Sequence, residues 1–149
     1  MAFKKARVSP KDIAELEKQP GILRTREFVF HEDYLAARRE WYHTTRNFTE
    51  QQWITAAHIA SSWQWHNGAI TSMISARFWD DINLRFPLAF KDAFYSHADK
   101  TGVPVHLLFA VARQESALAQ DVQSRAGAKG LMQLMPATAS ETARKHGIS

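Results

Sequence analysis

The sequence predicts an all-α protein. Apolar residues recur at helical spacing along most of its 149 residues, and helix-breaking residues interrupt this pattern roughly every 15 to 20 positions. No valine-rich segment alternates in the manner of a β-strand in the first half of the chain. Helix start and stop signals then place the individual elements.

The first two helices are predicted from capping residues and prolines. Ser9 can cap a helix and Pro10 suits its first position, so a helix is expected from there to about Lys18. Pro20-Gly21 then breaks it. A second helix, or its end, is expected within residues 22–30.

Three more helices are predicted before residue 80. The third covers residues 34–42, where apolar positions have helical spacing. Thr49 and Gln52 match a capping box, which begins the fourth helix, and the fifth lies within residues 68–78. Such a series of helix pairs is typical of a superhelical array, so residues 1–86 are predicted as one helical linker region.

The second half predicts a separate domain over residues 87–149. Residues 80–86 are expected to form a linker, and Pro87 is expected to open an amphipathic helix. A further helix is predicted over residues 105–116, followed by a loop. The last helix is expected to begin at Pro136.

Composition excludes several classes of protein. The chain has no cysteine, which excludes disulfide scaffolds and thiol catalysis. Its net charge of +4 favours polyanionic partners without naming one. No apolar run is long enough to span a membrane, and the first residues lack the apolar segment of a signal peptide, so we expect a soluble chain without a leader.

Neither a metal nor a cofactor is predicted. The chain has seven histidines, but no two of them are four residues apart on one predicted helix, and no His-Glu-x-x-His motif occurs. Phosphate-binding loops, dinucleotide fingerprints and Ser-His-Asp orderings are also missing from the sequence.

Glu115 is the strongest candidate for a catalytic residue. With Leu108, Val111 and Ala112 it has the spacing of one helix face, which predicts a carboxyl group on an apolar stripe. A carboxyl group in apolar surroundings can keep its proton near neutral pH and donate it to a leaving oxygen. The alternative, a solvated or Arg-paired glutamate at a helix end, remains equally open at this point.

Sequence motifs around Glu115 resemble a known family. Residues 112–117 read Ala-Arg-Gln-Glu-Ser-Ala, Ser124 follows, and residues 127–139 read Gly-Ala-Lys-Gly-Leu-Met-Gln-Leu-Met-Pro-Ala-Thr-Ala. These resemble the first two motifs of the soluble lytic transglycosylases, which cleave peptidoglycan and have a lysozyme-like catalytic domain. Upstream, residues 78–81 and 85–89 resemble the helical linker and domain junction of the large periplasmic members.

The resemblance implies a role for each matching residue. Glu115 would be the lone catalytic acid, protonating the oxygen between MurNAc and GlcNAc and later acting as a base. Ser124 would bind near it and the substrate acetamido group, Gln133 would help to orient the Glu115 carboxyl group, and Met132 and Met135 would line the glycan groove. The C6 hydroxyl of MurNAc would then close a 1,6-anhydro ring.

The resemblance also implies partners and location. The expected partner is the peptidoglycan glycan strand, in the periplasm, with neither nucleic acid nor a membrane span involved. The family's later motifs would follow Ser149, so the chain is expected to be a fragment of linker helices and the N-terminal portion of a lysozyme-like domain. We expect it to be inactive alone, and either to be marginally ordered after Pro104 or to self-associate through exposed Leu107, Leu108 and Phe109.

Two other functions remain open from the sequence. The first is a lysozyme-like or chitinase-like hydrolase, which would leave reducing ends. The second is a non-catalytic basic helical binding or scaffold module, for nucleic acid for example. The tryptophans and tyrosines could stack on sugars, but their helical spacing predicts that most of them belong to the core.

Overall fold

The computed structural model describes residues 7–148, and within them it contains helices, turns and two isolated β-bridges but no strand. The predicted all-α fold is therefore confirmed. The helices are α1 (Pro10–Glu17), α2 (Pro20–Phe30), α3 (Tyr34–Thr45), α4 (Glu50–Ser62), α5 (His66–Ala76), α6 (Ile82–Arg85), α7 (Lys91–Thr101), α8 (Val105–Ser116) and α9 (Pro136–His146). None of these helices is long and apolar enough to cross a membrane.

The chain divides into two compact units, with the division between Pro87 and Leu88. The first unit contains α1 to α6 and the second contains α7 to α9.

The predicted Ser9 cap and the predicted Thr49–Gln52 capping box are confirmed, and the Ser9 cap also forms a capping box with Asp12. At the start of α1, the backbone N–H of Asp12 donates to the Ser9 hydroxyl at 3.1 Å, and the Ser9 N–H donates to the Asp12 carboxylate at 3.2 Å. At the start of α4, the Gln52 N–H donates to Thr49 at 3.3 Å and the Thr49 N–H donates to the Gln52 side chain at 2.9 Å. Each box satisfies N–H groups that a helix start would otherwise leave unpaired.

Two helices begin earlier than predicted, because glycines serve close packing there. Pro20 and Gly21 are the first residues of α2, and α5 begins at His66, before Gly68. A Cβ atom at Gly21 would collide with the Thr44 side chain, and one at Gly68 would collide with the indole of Trp65. Both glycines therefore allow close contacts inside the fold and do not end a helix.

The region around residues 80–90 also differs from the prediction. A short helix, α6, lies within the expected linker, and the Asp81 carboxylate accepts the Leu84 N–H at 3.2 Å to cap it. Helix α7 begins at Lys91 and not at Pro87, because Phe90 has a left-handed φ of 54°. A residue in that conformation cannot continue a right-handed helix.

Tryptophans form much of the core of the first unit. Trp41 and Trp65 are buried, and their ring centroids lie 5.4 Å apart in an edge-to-face arrangement. Trp53 and Trp63 pack against the same buried cluster. Four of the five tryptophans thus belong to the core, as predicted; the exception is Trp79, which is 50% exposed.

The second unit has a small core. Helices α7 and α8 pack together, with the ring centroids of Phe94 and Phe109 4.6 Å apart. No residue of α9 is buried. The buried side chains of this unit are Ala89, Phe94, Ala98, Ala112, Leu118 and Ala119.

Candidate active site

Helix α8 carries Glu115 in its last turn. Its C-terminal end is closed by two hydrogen bonds, from the Ala117 N–H to the Arg113 carbonyl at 3.2 Å and from the Leu118 N–H to the Ala112 carbonyl at 3.4 Å. These bonds satisfy carbonyl groups that a helix end would otherwise leave unpaired. The candidate acid therefore lies directly before a defined helix terminus.

The predicted burial of Glu115 is wrong for the described part of the chain. Of its predicted stripe, Ala112 is buried and Leu108 is half-buried, whereas Val111 and Glu115 are exposed. The reason is that α7 covers only one side of α8, the side that carries Phe109. Within residues 7–148 no hydrogen bond or ion pair holds the carboxylate, so the solvated alternative describes its state.

The turn after Glu115 has an unusual backbone. Ala117 and Leu118 both have positive φ angles, of 49° and 62°. The left-handed region is unfavourable for residues other than glycine, so it persists only where the surrounding structure holds it. Here the Leu118 side chain is buried, at 4% exposure, and anchors the turn. Sequence reasoning missed this feature, because neither residue type signals a left-handed turn.

Backbone hydrogen bonds within the loop between α8 and α9 hold it in one conformation. Lys129 and Leu134 exchange N–H donors at 2.9 and 3.1 Å, and the Gly130 N–H donates to the Val122 carbonyl at 3.0 Å. Isolated β-bridges join Lys129 to both Gln123 and Leu134. All four of the predicted substrate-binding residues lie on this loop.

Ser124 closes a tight turn within the loop. Its hydroxyl oxygen accepts the Ala128 N–H at 3.0 Å, while its backbone N–H donates to the Ala128 carbonyl at 2.9 Å. The side chain is exposed. A hydroxyl group that accepts one bond still has its own hydrogen to donate, so Ser124 can bind an acceptor on a ligand.

Gln133 holds two parts of the loop together. Its side-chain nitrogen donates to the carbonyl of Val122 at 3.3 Å and to that of Gly130 at 2.9 Å. Both N–H donors of the amide are therefore used on the backbone, which leaves the side-chain oxygen as an acceptor. No hydrogen bond joins Gln133 to Glu115 in the described residues.

The two candidate groove methionines lie at the end of the loop. Met132 is half-buried, and Met135, 40% exposed, immediately precedes Pro136 at the start of α9. Leu134 between them is 52% exposed. This end of the loop therefore offers flexible and apolar surface to solvent, which suits contact with a ligand.

Two segments of the chain match known domain families. Residues 15–82 match the soluble lytic murein transglycosylase L domain, and residues 92–149 match the transglycosylase SLT domain. The chain belongs to the soluble lytic murein transglycosylase family. The SLT match contains Glu115 and the whole loop between α8 and α9.

Curated relatives agree with this assignment. The soluble lytic murein transglycosylase of Escherichia coli is 34% identical over 133 residues, which are 89% of this chain and 21% of the relative. That of Salmonella typhimurium is 32% identical over the same shares. The chain thus spans about a fifth of the length of these family members.

Solved structures of the family are similar throughout the chain. An inactive glutamate-to-glutamine mutant of the lytic transglycosylase from Pseudomonas aeruginosa is 38% identical, with a TM-score of 0.92, and is matched over 99% of this chain and 24% of its own. The 70 kDa soluble lytic transglycosylase of Escherichia coli is 32% identical, with a TM-score of 0.90, over 98% of this chain and 24% of its own.

Proposed function

We propose that this chain supplies the catalytic acid of a peptidoglycan lytic transglycosylase. The observation that carries the proposal is the position of Glu115 inside the segment that matches the SLT domain. Glu115 lies at the end of α8, directly before the loop that is held together by its own hydrogen bonds. One solved member of the family is inactive after a glutamate-to-glutamine change, which supports a glutamate as the essential group in that protein.

Glu115 would act first as an acid and then as a base. The protonated carboxyl group donates its proton to the glycosidic oxygen between MurNAc and GlcNAc, and the bond from that oxygen to C1 of MurNAc breaks. The resulting carboxylate then takes the proton of the MurNAc C6 hydroxyl group, whose oxygen bonds to C1 and closes the 1,6-anhydro ring. No water enters the product.

A second carboxylate is not required in this scheme. Most glycosidases use a pair of carboxyl groups, whereas Asp121 and Glu141, which follow Glu115 in this chain, are both exposed. The acetamido group of the substrate stabilises the positive charge at C1 in their place. Binding of the glycan also excludes water from the reacting atoms, which strengthens the electrostatic interactions among them.

The loop residues would bind and orient the glycan. The free hydrogen of the Ser124 hydroxyl group suits the acetamido oxygen, and the side-chain oxygen of Gln133 suits a donor of the substrate or the protonated carboxyl group of Glu115. Met132 and Met135 would provide apolar contacts along the groove.

The remaining assignments follow from the same proposal. Residues 1–86 would form the helical linker and residues 87–149 the first part of the lysozyme-like catalytic domain. The partner is the murein glycan strand, and the periplasm is the compartment in which such a strand is found. Because its relatives are about five times longer, we also propose that activity belongs to the whole protein.

Product analysis tests the proposed function. The whole protein is incubated with purified sacculi, and released muropeptides are identified by mass spectrometry. We expect 1,6-anhydro ends, lost by a factor of at least about 100 in Glu115→Gln, since general acid catalysis contributes that much or more. Glu141→Gln, which makes the same change at an exposed glutamate of α9, is the matched control and should retain turnover. Reducing ends would indicate a hydrolase, and turnover in Glu115→Gln would remove the assigned role.

A further inference from the structure

Trp79 differs from the other tryptophans of the chain. Trp41 and Trp65 are buried and Trp53 and Trp63 pack on the core, whereas Trp79 keeps half of its surface in solvent. It precedes α6 in the first unit. An indole held at the surface gives up the free energy that its burial would provide.

The exposed ring of Trp79 is held in a fixed position. The guanidinium carbon of Arg85 lies 4.9 Å from the centroid of the Trp79 ring and 5.0 Å from that of Phe86. Arg85 Nη1 also donates a hydrogen bond of 2.8 Å to the carbonyl oxygen of Trp79. One cation therefore braces two aromatic rings at the surface. Such bracing lowers the entropy that the rings lose when a ligand binds.

The surface around these rings is small and mixed in character. Trp79, Phe86 and Ile82 are 50%, 49% and 43% exposed, which amounts to about 300 Å² from ordinary side-chain areas. The side chains of Asp80 and Asn83 are exposed beside them in the sequence. A stable protein partner usually covers about 800 Å² on each side. The three apolar side chains supply less than half of that area, and their size fits one or two sugar units.

Sugar rings have the chemistry that this surface can recognise. The axial C–H groups of a pyranose form a flat apolar face that packs on an aromatic ring, while its hydroxyl and amide groups bind carboxylate and carboxamide side chains. We propose that the Trp79–Phe86 surface of the first unit is a second glycan-binding site without a catalytic role. The choice of murein as the glycan rests on the proposed function.

Such a site would hold the protein on its polymeric substrate. A glycan strand bound at two places dissociates less readily than one bound at a single groove, because the second contact is made within the same complex. The helical first unit would then contribute to retention on murein and not only to the fold.

Sedimentation with purified sacculi tests this site. The whole protein carries Glu115→Gln throughout, so that no strand is cleaved during the measurement. Trp79→Ala should weaken binding to sacculi by about tenfold, as expected for the loss of one aromatic contact. Trp79→Phe retains a flat ring and should bind nearly as well as the parent.

Two further variants separate stacking from general adhesion. Phe30→Ala removes a more exposed aromatic ring, at 79%, from the same unit and should leave binding unchanged. Trp79→Leu keeps apolar bulk without a flat ring and should lose binding as Trp79→Ala does. Circular dichroism shows that each variant is folded, and a misfolded Trp79→Ala is replaced by Trp79→Leu in the comparison.

The outcomes distinguish this inference from the proposed function. Unchanged binding in Trp79→Ala, or equal losses in Phe30→Ala, would overturn the second site even if Glu115→Gln abolishes release of anhydro products. Binding lost in Trp79→Ala, together with no anhydro product from the protein with Glu115 intact, would retain a glycan site and refute the transglycosylase.

Discussion

Gln133 donates a side-chain hydrogen bond of 3.3 Å to the carbonyl oxygen of Val122, which lies eleven residues earlier in the chain. The same amide nitrogen donates to the Gly130 carbonyl at 2.9 Å. One side chain thus closes the loop that follows α8, and with it the surface on which Ser124 and Met132 lie. Any contribution of Gln133 to catalysis therefore includes the shape of this loop.

Gln133→Glu should loosen this loop and leave the helices intact. A carboxylate has nearly the same shape as the amide but donates no hydrogen bond, and it would face two carbonyl oxygens. The two lost bonds should destabilise the loop by about 1–3 kcal/mol. Hydrogen exchange read at the backbone amides of residues 129–134 measures the change. Gln120→Glu, at an exposed position on the same loop, should leave exchange unaltered; equal effects at both positions would show that charge alone is responsible.

Ala117→Gly should stabilise the second unit, whereas Ala110→Gly should destabilise it. Ala117 has a φ of 49°, a conformation that glycine adopts with about 1–2 kcal/mol less strain. Ala110 is exposed within α8, where glycine costs about 1 kcal/mol relative to alanine. Denaturant unfolding should therefore shift in opposite directions for Ala117→Gly and Ala110→Gly. A loss of stability in both variants would mean that the left-handed turn is not strained.

Features set by residues close together in the sequence could be predicted, whereas features set by contacts between distant residues could not. Ser9 with Asp12, and Thr49 with Gln52, set helix starts through bonds that span three residues, so both starts could be predicted. The place of Gly21 inside α2 allows its close approach to Thr44 of α3, and the exposure of Glu115 depends on which side of α8 is covered by α7. Those contacts are tertiary, and no pattern along the sequence records them.

Ser72→Ala should destabilise the first unit by about 1–3 kcal/mol, because it leaves a buried donor without a partner. The indole N–H of Trp41 donates to the Ser72 hydroxyl at 3.0 Å, and that hydroxyl donates to the Gly68 carbonyl at 2.7 Å. Ser75→Ala, at an exposed serine of the same helix, should change the free energy of unfolding by less than about 0.5 kcal/mol. Thermal or urea unfolding compares the two variants, and equal losses would contradict a role for the buried pair.

The first unit should lose stability as the pH falls below about 6.5, the ordinary pKa of histidine. Burial lowers the pKa of both His58 and His66, and the Asp81 carboxylate opposes this effect only in part at His58. Well above pH 6.5 these residues are neutral in both states. Below it the unfolded chain binds protons that the folded chain does not, until the lowered pKa values are reached and the loss levels off.

Urea unfolding between pH 7.5 and pH 5 checks this dependence. The double variant His58→Gln and His66→Gln should flatten the profile in that interval, while His43→Gln, at an exposed histidine of α3, should leave its slope unchanged. An unaltered slope in the double variant would assign the pH dependence to other groups.

Residues 1–149 alone should not release anhydro-muropeptides, although they contain Glu115. In the described residues this carboxylate is exposed and lacks a polar partner, so neither desolvation nor a hydrogen bond prepares it for proton transfer. Helix α9 buries no residue, and Leu107 and Val111 are 49% and 37% exposed on α8. The second unit therefore lacks a cover over the face that carries the acid, and without such a cover a bound glycan is not held against it.

Mass spectrometry of sacculi incubated with the purified chain, beside the whole protein as a positive control, measures the difference. Comparable release by both would show that an exposed Glu115 suffices, either within one chain or in a pair of chains associated through these apolar residues, and light scattering of the same sample would distinguish the two.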